Sequence, residues 1–159
     1  SFTFGGYISA LVQISYLSGY NDFHLALPDS KVDYVGSRLW GTAENPLKIQ
    51  ISGNAGTSSG ILLNNAIMTF NDEALDSCGA NAINSTITFN KHVDIFTASG
   101  SVQSKYYFMD SVTEAMVKPA VACEFYSPHK DFLDTIIPDL KSDSKAYLIK
   151  PNGEEVLYK

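Results

Sequence analysis

Residues Ile83–Asp110 read INSTITFNKHVDIFTASGSVQSKYYFMD, and how this stretch folds decides the architecture. Ile83, Ser85, Ile87 and Phe89 alternate with Asn84, Thr86 and Thr88. Val93 to Ala98 forms a second run, broken by Ser99-Gly100. Beyond the break, Val102, Ser104, Tyr106 and Phe108 alternate with Ser101, Gln103, Lys105 and Tyr107. A period of two places successive side chains on opposite faces, so two or three consecutive strands are predicted, each with one dry and one wet face.

The same pattern extends outward from this centre. Leu47, Ile49 and Ile51 alternate with Lys48, Gln50 and Ser52. Ala66 to Phe70 is an apolar run after Asn64-Asn65, a pair suited to a tight hairpin because asparagine tolerates positive φ. Tyr7 to Leu17 also alternates, through Ile8, Ala10, Val12, Ile14 and Tyr16, and is assigned as a strand because no helix cap is obvious. Ser1–Gly6 suggests an edge strand ending in a bend, Phe23–Leu27 and Lys31–Trp40 two more strands, and Val117–Phe125 an edge strand containing Pro119. Asp110–Met116 suits a short helical turn. Ser127-Pro128 followed by Asp131 is a helix start, giving one helix over 128–137 that ends at Pro138. Pro151-Asn152-Gly153 between two apolar runs predicts a C-terminal β-hairpin.

About ten to twelve short strands with polar turns, and no repeat period visible, predict an all-β chain. The expected architecture is an antiparallel β-sandwich, with a jelly roll as one form of it, as a single domain over 1–159. The length suffices to bury one sizeable core.

Composition bounds the function. The net charge is −6 and Arg38 is the only arginine, which disfavours nucleic acid, since phosphate binding needs clustered Lys and Arg. No apolar run is long enough for a membrane span, so no membrane insertion is expected. Tyr7–Leu17 lacks the basic flank of a signal peptide. Cys78 and Cys123 are expected to form a disulfide, worth about 4 kcal/mol for a loop of this length. Asn84-Ser85-Thr86 is a glycosylation sequon, and with the disulfide it points to a secreted or surface-exposed protein.

Catalytic patterns are sparse. His24 follows Asp22 by two residues and His92 precedes Asp94 by two, which puts each pair on one side of a strand, but no His-x-His pair occurs. Cys123 and His129 lack the methionine that would complete a blue-copper loop. The glycine-rich loop Gly53–Gly60 has neither nucleophile-elbow spacing nor a phosphate-loop ending. Asp72, Glu73 and Asp76 do not match a calcium hand. No cofactor or metal is implied.

Recognition is what the composition favours. Tyrosine and tryptophan supply rigid contact area with a polar tip. The candidate ligand-binding residues are Trp40, Tyr34, Tyr20, Asn21, Asp22 and Asn54, beside turns that could engage a glycan or a protein. The expectation is a non-enzymatic binding domain. One alternative is a structural subunit of a virion, pilus or similar assembly, forming a homo-oligomer by adding its N-terminal strand to a neighbour's sheet edge. The other is a β-barrel carrier of a small apolar ligand.

Overall fold

The computed structural model describes residues 3–115, 117–141 and 143–159. Its body is a parallel β-solenoid, which overturns the antiparallel sandwich. The main sheet orders β1 (Asp22–Ala26), β2 (Leu47–Ser52), β3 (Ala66–Phe70), β4 (Thr86–Phe89), β6 (Lys105–Phe108), β8 (Glu124–Ser127) and β9 (Lys145–Ile149) as successive parallel neighbours. Only β10 (Glu155–Leu157) runs antiparallel, closing the predicted hairpin with β9. A second, two-stranded sheet pairs β5 (Val93–Thr97) with β7 (Val112–Ala115) in parallel.

A repeat exists after all. Ile67, Thr86, Lys105 and Glu124 stand opposite one another, a step of 19 residues per coil. The first coil is longer, with Asp22 opposite Lys48, and the last runs from Glu124 to Lys145. What recurs is backbone conformation: Ser58, Ser77 and Phe96 have positive φ, as do Asn65, Asn84, Gln103 and Ala122 one coil apart. At these corners the chain turns and each amide reaches the next coil, as Asn65 N–H to Ile83 O (3.1 Å) and Asn84 N–H to Val102 O (3.1 Å). The Asn64-Asn65 pair is therefore a solenoid corner, not a hairpin.

Inward residues stack into columns. Phe70, Phe89 and Phe108 lie ring on ring at 5.0 and 5.7 Å, all fully buried. A second column holds Ile49, Met68, Ile87, Tyr106, Phe125 and Ala146. Tyr106 is tolerated there because its hydroxyl donates to the Gly79 carbonyl at 2.6 Å. A third, small column bonds coil to coil through hydroxyls: Ser85 Oγ accepts from Ala66 N–H, Ser104 Oγ from Ser85 N–H, and Ser144 Oγ from Cys123 N–H. Among the described residues the main sheet runs open from β1 to β10 around a packed interior and is not the expected barrel.

The ends are closed by other elements. Tyr7–Leu17 is not a strand. It lies within α1 (Phe4–Leu17), capped by Thr3 Oγ1, which accepts from Gly6 N–H at 3.1 Å. Ser1 and Phe2 of the expected edge strand lie outside the described residues. Gly5, Ser9, Val12 and Tyr16 face the first coil. The approach is close: a Cβ on Gly5 would fall 1.9 Å from the Asp33 carbonyl oxygen. Residues 4–17 are thus helix and not the strand expected to add to a neighbour's sheet.

At the other end α2 (Lys130–Ile136), continued by a 3₁₀ turn at Ile137–Asp139, replaces the second side of the last coil. This is the helix predicted over 128–137. Ser127 Oγ accepts from His129 N–H (3.1 Å), and Leu133 and Ile136 are buried. The expected helical turn at 110–116 is instead β7, with Met116 outside the described residues. The strand expected at Val117–Phe125 is reduced to an isolated bridge at Val121, ahead of β8. Lys31–Trp40 is turn with bridges only at Val32 and Trp40.

Candidate functional site

A groove of ≈ 450 Å³ lies between α1 and the corners of the first two coils. Its helical wall is Gly6, Ala10 and Gln13, and its opposite wall is Tyr34, Arg38, Leu39, Ile61 and Leu62. Gln13 fixes the helix in place by mimicking a strand. Its Nε2 donates to the Trp40 carbonyl (3.1 Å) and its Oε1 accepts from Trp40 N–H (2.9 Å). Tyr16 anchors the next turn, donating to Asn45 O at 2.7 Å and accepting from Thr42 N–H at 3.1 Å.

The polar groups in the groove are largely spent on the fold. The Ser9 hydroxyl lies 2.8 Å from the Gly5 carbonyl and 3.1 Å from that of Tyr34, and Ser37 donates to Tyr34 O (2.7 Å). Arg38 differs. Its backbone sits in a left-handed corner (φ 57°) and bonds to Ile61 O at 2.7 Å, while its side chain is exposed beside exposed Tyr34 and Leu62. Among the described residues, no acidic side chain lines the groove. The single guanidinium of a chain of net charge −6 thus stands against apolar walls.

The structure brings some of the expected ligand residues together and scatters others. Tyr34 lines the groove. Trp40 does not line the groove: it follows Leu39, bonds to Gln13 through its backbone, and is about half exposed, edge-on to Tyr16 with ring centroids 6.1 Å apart. Tyr20 is exposed just past α1, and Asn21 turns its amide to Asn45 Oδ1 (2.6 Å). Asp22 is 4.0 Å from His24 on exposed β1, as their spacing predicted. Asn54 lies elsewhere, in a 290 Å³ recess with Asp72, Glu73, Lys91, His92 and Asp110. Sequence reasoning missed Gln13 and Leu62 and did not place Arg38 at a site, although its being the sole arginine was a signal.

His92 of that recess makes the nearest approach to a nucleophile–base pair among the described residues, with hydroxyls outside the recess. His92 Nδ1 is 2.8 Å from Ser111 Oγ, one coil on, and its Nε2 is 3.1 Å from Thr113 Oγ1. An activated serine needs its histidine oriented by a third group, commonly a carboxylate. Here the second nitrogen meets a hydroxyl, and Asp94 is not the partner its spacing suggested. His129 is likewise separated from Cys123: the ring is outside, 3.3 Å from Met109 O, while the thiol is inside. Among the described residues, no group of three or more His, Cys, Asp or Glu side chains converges to hold a metal.

The cysteines are not bridged. Cys78 and Cys123 are both free and buried, Cys78 with its thiol on Gly56 O (3.2 Å) and Cys123 on Val121 O (3.4 Å). They occupy different columns two coil steps apart, beyond the reach of a disulfide. Asn84 of the sequon is exposed at its corner.

Tyrosines also line the outer face of the main sheet, Tyr107 on Tyr126 on Tyr147 at 4.4 and 4.6 Å. The faces the rings share are closed by this stacking and Tyr126 is buried between its neighbours, so the middle of the ladder offers no face to a sugar ring.

Neither a protein-family model, nor a curated protein, nor a solved structure matches the chain. Among the described residues no helix is long and apolar enough to cross a membrane.

Proposed function

We propose that the chain is a non-enzymatic binding domain, secreted or displayed on a cell surface, whose groove between α1 and the first coils takes a segment of a protein partner. The partner lays an apolar stretch along Ala10, Leu39, Ile61 and Leu62 and brings a carboxylate to Arg38. The observation that carries this reading is Arg38 itself, an exposed guanidinium in a groove whose lining, among the described residues, contains no acidic side chain. A planar fork of donors suits bidentate recognition of a carboxylate. A protein segment is preferred to a glycan because the stacked outer tyrosines close their shared faces, and the groove's polar groups are largely engaged in the fold beside apolar side chains. The exposed sequon at Asn84 supports the extracellular setting, and the acidic balance argues against nucleic acid.

Selection from a displayed peptide library tests it. Enrichment of apolar peptides with an acidic residue is expected, with binding weakened at least tenfold by Arg38→Ala, about 1.4 kcal/mol. Peptides that bind Arg38→Ala undiminished, or a selection for basic residues, would contradict the proposal.

A further inference from the structure

α1 has a second apolar face that the fold does not use. Phe4, Tyr7, Leu11, Ile14 and Leu17 are 63, 56, 46, 61 and 63% exposed, along the side of the helix turned away from the first coil. A helix that is apolar all round is normally buried all round. Positions 4, 7, 11 and 14 have the three-four-three spacing of a coiled-coil seam. Of the groove residues, Gly6 and Gln13 lie toward the buried side and Ala10 borders the stripe beside Ile14, so the two surfaces adjoin but share no residue.

We propose that α1 is a dimerisation helix, two copies of the chain pairing these stripes antiparallel about a two-fold axis beside Leu11. Three observations favour a second copy as the occupant. The stripe is self-complementary: an antiparallel pair sets the aromatic half, Phe4 and Tyr7, against the aliphatic half, Leu17 and Ile14, and Leu11 against its own copy. A two-fold interface requires such self-matching. Charge does not oppose it, because no charged residue occurs before Asp22 although the whole chain carries −6. The area is adequate as well. At about 100 Å² of exposed surface for each of the five side chains, two copies would cover on the order of 1,000 Å², where specific interfaces begin. A bilayer surface is the weaker candidate, since α1 has no basic residue to hold anionic headgroups.

Sedimentation velocity on the full chain, from micromolar to the highest soluble concentration, tests this. The expected result is a species of two 17.3 kDa chains. Leu11→Asp and Leu11→Lys should each be monomeric with an unchanged circular dichroism spectrum. Mixed in equal amounts they should recover the dimer, because the two charges would then face each other across the axis. Should either variant misfold, Ile14→Gln and Phe4→Asn at exposed positions carry the same expectation of a lost dimer. A parent chain monomeric throughout, a dimer that survives Leu11→Asp, or charged variants that fail to recover it on mixing would overturn the proposal. So would a monomeric parent that co-sediments with phosphatidylcholine vesicles.

Discussion

Cys78 points its thiol at a carbonyl from a site with no exposure, and desolvation pushes its pKa up to about 12. Burial also raises the Cys123 thiol. The reactive species is the thiolate, so neither should be attacked in the native state. An aromatic disulfide reagent at mildly alkaline pH should find no thiol in the folded protein and two per chain after guanidinium is added. Finding none after unfolding would restore the disulfide. The polar Ser-Cys-Gly context of Cys78 reads as a surface turn, but in this fold corner residues point inward beneath polar neighbours. Gly60 shows the same corner from the backbone side. Its φ is +66°, and a Cβ there would fall 2.6 Å from Met68 Sδ, whereas Ala98 holds the corresponding corner two coils on. Equivalent corners are filled by Gly or Ala, Ser or Phe, Asn or Gln, so residue identity hides the repeat that backbone conformation displays.

At the scale of the strand, β6 and β8 are joined on their outer face by Lys105 Nζ and Glu124 at 2.8 Å, and Tyr126 donates to the same carboxylate at 2.8 Å. The hydrogen bond from Lys105 holds the Glu124 carboxyl below its usual range, and the bond to Glu124 raises Lys105. The Glu124 contribution is present above the ordinary carboxylate pKa and lost as pH falls through the depressed folded value. The Lys105 contribution is present below the ordinary lysine pKa and lost as pH rises through the raised one. Both side chains are partly solvated, so Glu124→Gln should cost no more than about 1 kcal/mol at neutral pH. Urea titrations at neutral and strongly acid pH check this: parent and variant should differ in the first and converge in the second. Equal stability at neutral pH would show that the pair contributes nothing. The strands themselves were legible: β2, β4 and β6 lie where period-two alternation put them, and β3 lies on the apolar run Ala66–Phe70. Their direction was not. Parallel strands are usually buried on both faces and read as unbroken apolar runs. A solenoid wall is wet outside, so Gln50, Thr69 and Thr88 alternate with core residues just as in an antiparallel sheet. α1 escaped because Ile8, Ala10, Val12, Ile14 and Tyr16 also alternate, and the helical signals, Thr3 as cap and small Gly5 and Ser9 on the buried side, are quiet ones. Of the candidate site, Tyr34 and Trp40 could be named from side-chain type alone. Arg38 and Gln13 acquire a role only when α1 docks across a corner some 25 residues away in sequence.

Across the whole molecule, each coil touches only its neighbours, so stability builds from one interface to the next. The middle coils have partners on both sides, and β1 and β10 have one each. Hydrogen exchange should therefore be slowest at the amides of β3, β4 and β6 and faster toward β1 and β10, despite the caps. Uniform protection from β1 to β10 would instead mean that the caps bind the stack into one cooperative unit. The columns of Phe70, Phe89 and Phe108 place the firmest packing at the same centre.

The constant step has a consequence for how such a chain can change length. Removing residues 66–84 as a block would take out one complete coil and bring Leu47–Asn65 directly beneath Ser85–Gln103. Ile49 would then meet Ile87, Ile51 would meet Phe89, and the corner at Asn65 would meet the corner at Gln103 in matching conformation. Within these regular coils a deletion that is not a multiple of 19 residues would shift the strand register, and an odd shift would turn inward residues outward. The architecture thus accepts growth or loss in whole turns, each shifting the two capped ends by one strand spacing of about 4.8 Å. The distance between the groove at one end and the hairpin at the other is in this sense a quantity counted in coils.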